Sequence, residues 1–284
     1  MERQVLAEAL GITVSDFRCR ARVHPEGPEE HNQTHSIVFV RRGAFVRRVG
    51  RARLAADANH VLFFNPHEPY RIAHPVPGGD DCTILSLSEP VARELVARQE
   101  PRATEASEPT FRRGHGLSSA RAVWLHYELL ARIRRPSPSL GLEDVLAELL
   151  DEAVPAGASA VDGGGAESGT ARCARRHREL TEAIQVLLNE RLDAPPSLAE
   201  LARTFGGSPF HLSRVFRQTA GVGLRRYANR LRARAAAERL AARPRDLSAV
   251  AHGLGYADHS HFTSSFRREW GVPPSDFRAR FAGS

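Results

Sequence analysis

The sequence contains no lysine; all 40 of its basic residues are arginine. With so many Ala and Gly beside them, this bias points to genomic base composition, so a single Arg-rich run carries little functional weight. Cysteine is scarce: Cys19, Cys82 and Cys173 are odd in number and without CxxC spacing. That excludes a disulfide framework or a zinc finger, and reduced thiols are expected. No window approaches the ~18 consecutive apolar residues of a membrane span. The opening "MERQVLAEALGITVSDF" lacks the basic run and apolar core of a signal peptide, so a cytoplasmic location without a membrane partner is expected. There is no nucleophile elbow, P-loop or paired-carboxylate motif, so no enzyme, catalytic residue or cofactor is expected.

What is present suffices for two domains: 284 residues, 42% of them hydrophobic. Charge divides them. Residues 172–284 carry 20 Arg against 10 Asp plus Glu, while residues 1–171 carry 20 against 23. A basic C-terminal third beside a slightly acidic remainder suits a nucleic-acid-binding module joined to a different domain, although a solvated basic surface gives the same count. The charge changes across "PAGASAVDGGGAESGTA", 155–171, which reads as a flexible linker.

Before the linker, residues 36–90 read as short strands. "SIVFVRRGAFVRRVG" gives two apolar runs broken at Arg42-Gly43, followed by "HVLFFNP", "YRIAHP" and "CTILSLS". Turn residues separate them, which suggests a small antiparallel barrel or jelly roll. Two helices follow. "LSSARAVWLHYELLARIRR" has Ser118 as a candidate N-cap and Val123, Tyr127 and Leu130 on one stripe. "SLGLEDVLAELLDEAV" repeats Leu142, Val145, Leu146, Leu149 and Leu150 at helical spacing. These stripes fit either a dimer interface or packing on their own barrel.

After the linker the pattern is helical, and it repeats. "LAELARTFGGSPFHLSRVFRQTAGVGLRRY" and "LSAVAHGLGYADHSHFTSSFRREWGVPPSDF" align: Leu201 with Val250, Ala202 with Ala251, Gly206 with Gly255, Leu212 with Phe262, Phe216 with Phe266 and Gly221 with Gly271. Each copy is a short helix, a turn with Gly and a second helix. Ala202 and Ala251 fall where two helices approach, and Gly206 and Gly255 can supply positive φ. That is a helix-turn-helix, present twice. "GLRRYANRLRARAAAERLAARP" reads as a long connecting helix with an apolar face of Leu224, Tyr227, Ala228, Leu231 and Ala235. Its Arg225, Arg226, Arg230, Arg232 and Arg234 fall largely elsewhere. A helix over 175–192 completes the first unit.

On these residues, and above all the run from Gly255-Tyr256 through Phe262, Phe266, Gly271, Pro273 and Pro274, residues 176–282 resemble the AraC/XylS family of bacterial transcription regulators. The N-terminal part resembles cupin-like sensing domains less specifically. The resemblance implies a cupin-like effector-sensing and dimerisation domain over 10–154, a linker over 155–174 and an all-α DNA-binding domain over 175–284, with helix-turn-helix units at 197–218 and 247–268. It implies double-stranded promoter DNA, RNA polymerase, an unidentified small effector and a second copy of the chain as partners. Two reading helices would then meet successive major grooves on one face of the duplex. A ligand-independent regulator, or a cupin metalloenzyme fused to a DNA-binding module, are the alternatives.

Candidate DNA contacts follow from the helix faces. Leu212, Val215 and Phe216 should point inward, leaving Phe210, Ser213, Arg214 and Arg217 outward. In the second unit Phe262, Ser265 and Phe266 should point inward, leaving His259, Ser260, His261, Thr263, Ser264 and Arg267. Arg214 suits a guanine edge and Phe210 a thymine methyl. Ser264 stands where Arg214 does, and many members of the resembled family carry Arg there, so the second reader should be the weaker. In "DHSHFTSSFRR", His259 and His261 diverge by about 200° on a helix and cannot share a metal. The N-terminal His24, His31, His35, His67 and His74, with Cys82 and Glu68 nearby, lack a cupin HxH pattern, and no metal is expected. A ligand pocket would instead use His35, His67, Tyr70 and Arg71, unless these side chains only cap strand ends.

Overall fold

The computed structural model describes residues 1–99, 111–135, 141–154, 169–242 and 246–282. Strand pairing begins at Glu2, ahead of residue 10: β1 (Glu2–Ala9) pairs with β2 (Ile12–Arg18). Leu10 and Gly11 between them both have positive φ, 53° and 71°, the two-residue turn whose twist suits a hairpin. A leucine in that position conceals the turn from a reading of composition.

The chain continues through β3 (Glu29–Glu30), β4 (His35–Val49), β5 (Ala52–Asp57), β6 (His60–Phe64), β7 (Tyr70–Ala73) and β8 (Asp80–Leu87). Then come α1 (Glu89–Gln99), β9 (His115–Leu117), α2 (Ala120–Ile133) and α3 (Leu142–Ala153). Arg42-Gly43 does not end a strand. β4 runs unbroken for 15 residues with a bulge between Val40 and Arg42. Gly43 has φ 79°, and a Cβ there would lie 2.0 Å from the Gly79 carbonyl oxygen. The bulge re-aims the strand. Its first half pairs with β6 and β8, and its second half with β5 and β7.

The N-terminal region is mainly β, but the expected barrel does not close among the described residues. The hydrogen-bonded path runs β1-β2-β8-β4-β6-β9, with β5 and β7 branching from β4. Alternate residues build two layers, as the pleat requires. Ile37, Phe39, Val61, Phe63, Leu85 and Leu87 face α1, α2 and α3. Val38, Val40, Phe45, Leu62, Phe64 and Cys82 face the other way and fill the interior between the sheet halves. The stripe of α3 is buried on this sheet. Val123 and Tyr127 of α2 are buried against the C-terminal helices. Neither stripe is therefore available for a dimer interface. Ser119, not Ser118, caps α2, accepting from Ala122 N at 2.9 Å. The sequence also conceals α1, whose Ala92, Leu95 and Val96 join the core.

The C-terminal region is all-α: α4 (Gly169–Glu190), α5 (Leu198–Phe205), α6 (Pro209–Ala220), α7 (Leu224–Ala241), α8 (Leu247–His252), α9 (His259–Trp270) and α10 (Pro274–Phe281). Residues 155–168 of the expected linker lie outside the described residues; 169–174 belong to α4. No described helix is long and apolar enough to cross a membrane.

The two regions are docked. The β5–β6 tip enters the first helical unit, where Ala58 shares a core with Ile184, Leu188, Leu212, Phe216 and Tyr227. Asp57 accepts from the Tyr227 hydroxyl at 2.6 Å and from Asn189 Nδ2 at 2.9 Å. Arg234 is fully buried and donates to the carbonyls of Ala58 and Ser118, both at 2.6 Å. Burial lowers its pKa to about 10. Arg41 pairs with both Asp16 and Glu238, and Glu238 also accepts from the Tyr127 hydroxyl at 3.0 Å.

Candidate nucleic-acid interface

Each helix-turn-helix is fixed by caps that the sequence supplies at equivalent positions. Ser197 and Glu200 form a reciprocal capping box at α5: Ser197 Oγ accepts from Glu200 N at 3.2 Å, and Glu200 Oε2 accepts from Ser197 N at 2.7 Å. These bonds hold the Glu200 carboxyl below its usual range. Ser208 caps α6 through His211 N at 3.1 Å, with Pro209 preset at the first helical position. Asp258 does the same for α9 through His261 N at 2.7 Å. Each cap of this kind stabilises its helix by about 0.5–2 kcal/mol. Gly221 and Gly271 end α6 and α9 in the left-handed conformation.

The apolar residues expected to point inward do so, while Ser265 is only half-buried and its Oγ accepts from Arg268 at 3.5 Å. Leu212, Val215 and Phe216, and in the second unit Phe262 and Phe266, are fully buried. Ala202 and Ala251 are buried where the paired helices meet. Gly206 and Gly255 have φ of 77° and 67°.

On the outward side, Phe210 is 78% exposed at the start of α6, a costly position for an aromatic ring unless it has a partner. Arg214 and Arg217 are exposed and Ser213 half-buried; neither arginine forms an ion pair among the described residues. On α9, His259, Ser260, His261, Ser264 and Arg267 are exposed. Thr263 differs from its expected orientation: it is half-buried, and its Oγ1 is buried without a partner. The two histidines diverge, His261 edge-on to Tyr256 at 5.5 Å and His259 to Phe262 at 6.4 Å.

The arginines of α7 largely serve the interior. Arg232 lies 4.0 Å over the Tyr256 ring and donates to Leu254 O. Arg230 pairs with Glu269 at 3.1 Å. Of the five, Arg225 and Arg226 remain exposed. Sequence reasoning missed a basic cleft of about 340 Å³ beside α6, lined by Arg172, Cys173, Arg176, His177, Leu180 and His211. The spacing of Arg172 and Arg176 on one face of α4 is its signal.

The four candidate ligand-binding residues do not converge on a common cavity among the described residues. His35 is buried edge-on to Phe111 at 5.6 Å. His67 is exposed at φ 59°, 6.4 Å from His31. Tyr70 donates to Asn32 Oδ1 at 3.2 Å, and burial helps push its phenol up to about 12. Arg71 pairs with Glu29 at 3.5 Å. An enclosed space between the two regions, lined by Arg41, His60, His126, Tyr127 and Arg234 among others, is about 10 Å³, the size of one water.

Two capped helix-turn-helix units on one central helix, with polar outer faces, define a DNA-reading module joined to a β domain. Comparison with known proteins gives that class its family. A helix-turn-helix domain family model matches residues 201–280. Over 104 residues the chain is 31% identical to the regulatory protein SoxS of Salmonella typhimurium, covering 37% of this chain and 97% of SoxS. It is also 31% identical over 108 residues to the uncharacterized regulator YijO of Escherichia coli, of which it spans 38%. Among solved structures, the C-terminal domain of AraT from Geobacillus stearothermophilus is 25% identical, with a TM-score of 0.33, covering 36% of this chain and 83% of that one. The chain belongs to the AraC/XylS family of DNA-binding transcription regulators.

Proposed function

We propose that α6 and α9 read successive major grooves of promoter DNA, with α6 supplying the stronger sequence contact. The observation that carries this is the asymmetry of two otherwise equivalent faces: Arg214 is exposed on α6 where Ser264 stands on α9. A guanidinium can grip guanine O6 and N7 bidentately, which a serine cannot. Phe210, Ser213 and Arg217 complete the first contact set; His259, Ser260, His261, Ser264 and Arg267 complete the second. Thr263, with its hydroxyl turned inward, is left out.

Selection of bound DNA from a genomic library, followed by binding measurements at fixed salt, tests the reading. Arg214→Ala should weaken specific binding by about 1–3 kcal/mol and relax preference at one base position. Ser264→Ala should cost less. The reverse order would show that the two faces are misassigned.

Control from the β domain completes the proposal: a small effector bound there, at a place other than the dispersed His35, His67, Tyr70 and Arg71, would shift the equilibrium between arrangements of the DNA-binding half. A homodimer and contact with RNA polymerase belong to the same proposal, with the dimer using a surface other than the covered stripes of α2 and α3. A second, ligand-independent reading is favoured by the interior packing, where Val38, Phe45, Leu62 and Phe64 occupy the space a ligand would need. Metabolite libraries that never alter DNA affinity would decide for that reading.

A further inference from the structure

We propose that Cys19, His74, Asp80 and Cys82 form a binding site for one zinc-class divalent ion in the β domain, with His24 orienting His74 from behind. Four separate segments bring these side chains together. Cys19 follows β2 and takes its place opposite Asp80, its N–H donating to Asp80 O at 2.8 Å. The register pairs Phe17 with Cys82, so Cys19, Asp80 and Cys82 fall on one face of the sheet. His24 and His74 are joined by reciprocal backbone hydrogen bonds of 3.2 Å. Gly79 permits the approach: a Cβ there would lie 2.2 Å from Cys19 O.

The side chains then converge. Ligand atoms of Cys19, His74 and Asp80 all lie within 4.8 Å of one another. Tetrahedral bonds of about 2.0 Å to nitrogen and about 2.3 Å to sulfur would set neighbouring ligand atoms about 3.3–3.8 Å apart, so binding would draw these three side chains together and turn Cys82, which lies outside that set but reaches Asp80, toward them. Asp80 Oδ1 lies 2.9 Å from His74 Nε2, and Asp80 Oδ2 accepts from Cys82 Sγ at 3.1 Å. The other nitrogen of His74, Nδ1, lies 3.0 Å from His24 Nε2. That is the outer hydrogen bond a metal-ligating imidazole needs to fix its tautomer and ring plane.

The four ligands are 6% exposed or less, so ion and ligands would be shielded from water. Without a metal, this is an uneconomical use of interior space. A thiol is a weak donor to a buried carboxylate. A divalent ion would replace both S–H protons, releasing two H⁺ to solvent, and would bind two thiolates, one carboxylate and one neutral imidazole. Mixed sulfur, nitrogen and oxygen donors at tetrahedral count select zinc-like ions over calcium or magnesium. The spacing 19, 24, 74, 80, 82 matches no linear motif, because the register of β2 and β8 assembles the set. The proposal is independent of effector control and of DNA reading.

Cobalt(II) is the probe. The full chain, stripped with chelator and kept reduced, is titrated with Co²⁺. One equivalent should bind, with thiolate-to-cobalt charge-transfer absorption and tetrahedral d–d bands, and Zn²⁺ should displace it. Cys19→Ser and Cys82→Ser should each remove part of the charge-transfer intensity. Cys173→Ser should leave the spectrum unchanged; Cys173 is exposed and sits 3.6 Å from His177, which makes it the control for adventitious binding. Should a serine variant fail to fold, thiol labelling of the wild type at denaturant concentrations that expose the buried thiols decides: Zn²⁺ should slow labelling of Cys19 and Cys82 and leave that of Cys173 unchanged. A folded wild type without thiolate–cobalt absorption, or a signal that disappears with Cys173→Ser, overturns the site.

Discussion

Asp57→Ala is expected to destabilise the protein by about 3–5 kcal/mol, the usual cost of removing one member of a buried charged network. Asp57 is 1% exposed at the β5–β6 tip. It accepts from Asn59 N at 2.8 Å, Asn189 Nδ2 at 2.9 Å and the Tyr227 hydroxyl at 2.6 Å, and His60 Nδ1 lies 3.1 Å away. Removing the carboxylate strands buried donors on both sides of the interface. Burial pushes the Asp57 carboxyl up, but bonding to His60, Tyr227 and Asn189 outweighs this and holds it below its usual range. A depressed carboxyl stabilises the fold above the unfolded value of about 3.9, and that contribution is lost as pH falls through the folded value. Docking should therefore weaken in acid, and Asp57→Asn should remove that part of the acid dependence. Urea unfolding at neutral and acid pH measures both effects. An Asp57→Ala midpoint equal to the wild type would mean that the hairpin tip contributes nothing to the fold.

Gly255→Ala is expected to cost more than the same change at Gly271, although both glycines have similar positive φ, 67° and 76°. The dihedral alone costs about 1–3 kcal/mol at either position. At Gly271 nothing lies within 4 Å of an added Cβ, whereas at Gly255 it would meet the Asp193 carbonyl oxygen at 1.7 Å. Backbone against backbone cannot be relieved by a rotamer change. Asp193 lies between α4 and α5, so the contact ties the turn of the second unit to the first. The variant should shift the two readers relative to each other, and affinity for a two-segment DNA site should fall more than affinity for either half. Equal losses of stability at Gly255 and Gly271 would show that the close approach does not constrain the fold.

The sequence made the DNA-reading half legible because its determinants are local. Helix period, cap residues and turn glycines fix α5, α6, α8 and α9 within a few positions, and the internal repeat checks each assignment against the other. What it concealed depends on distant pairing. Arg42-Gly43 reads as a break, yet β4 runs on through it with a bulge between Val40 and Arg42, because β8 arrives beside it. Arg232 and Arg234 read as surface charge, yet Tyr256 and the β domain draw them inside. The stripe on α2 reads as an available apolar face, but α7, α9 and α10 cover it. Thr263 shows the same limit within the reading helix itself: its spacing points outward, and tertiary packing turns its hydroxyl in.

The two carbonyls held by Arg234 belong to different parts of the β domain, one on the hairpin tip and one just before α2. A single planar group thus measures the separation of two loops 60 residues apart in sequence, like the jaws of a calliper. If one loop shifts against the other, one of the two hydrogen bonds must lengthen, although Ser118 O also accepts from Arg230 at 2.5 Å. A hydrogen bond to a charged group is worth about 1.5–3 kcal/mol. A shift of the hairpin tip against the loop before α2 would therefore reach the central helix of the DNA-binding half through this one side chain.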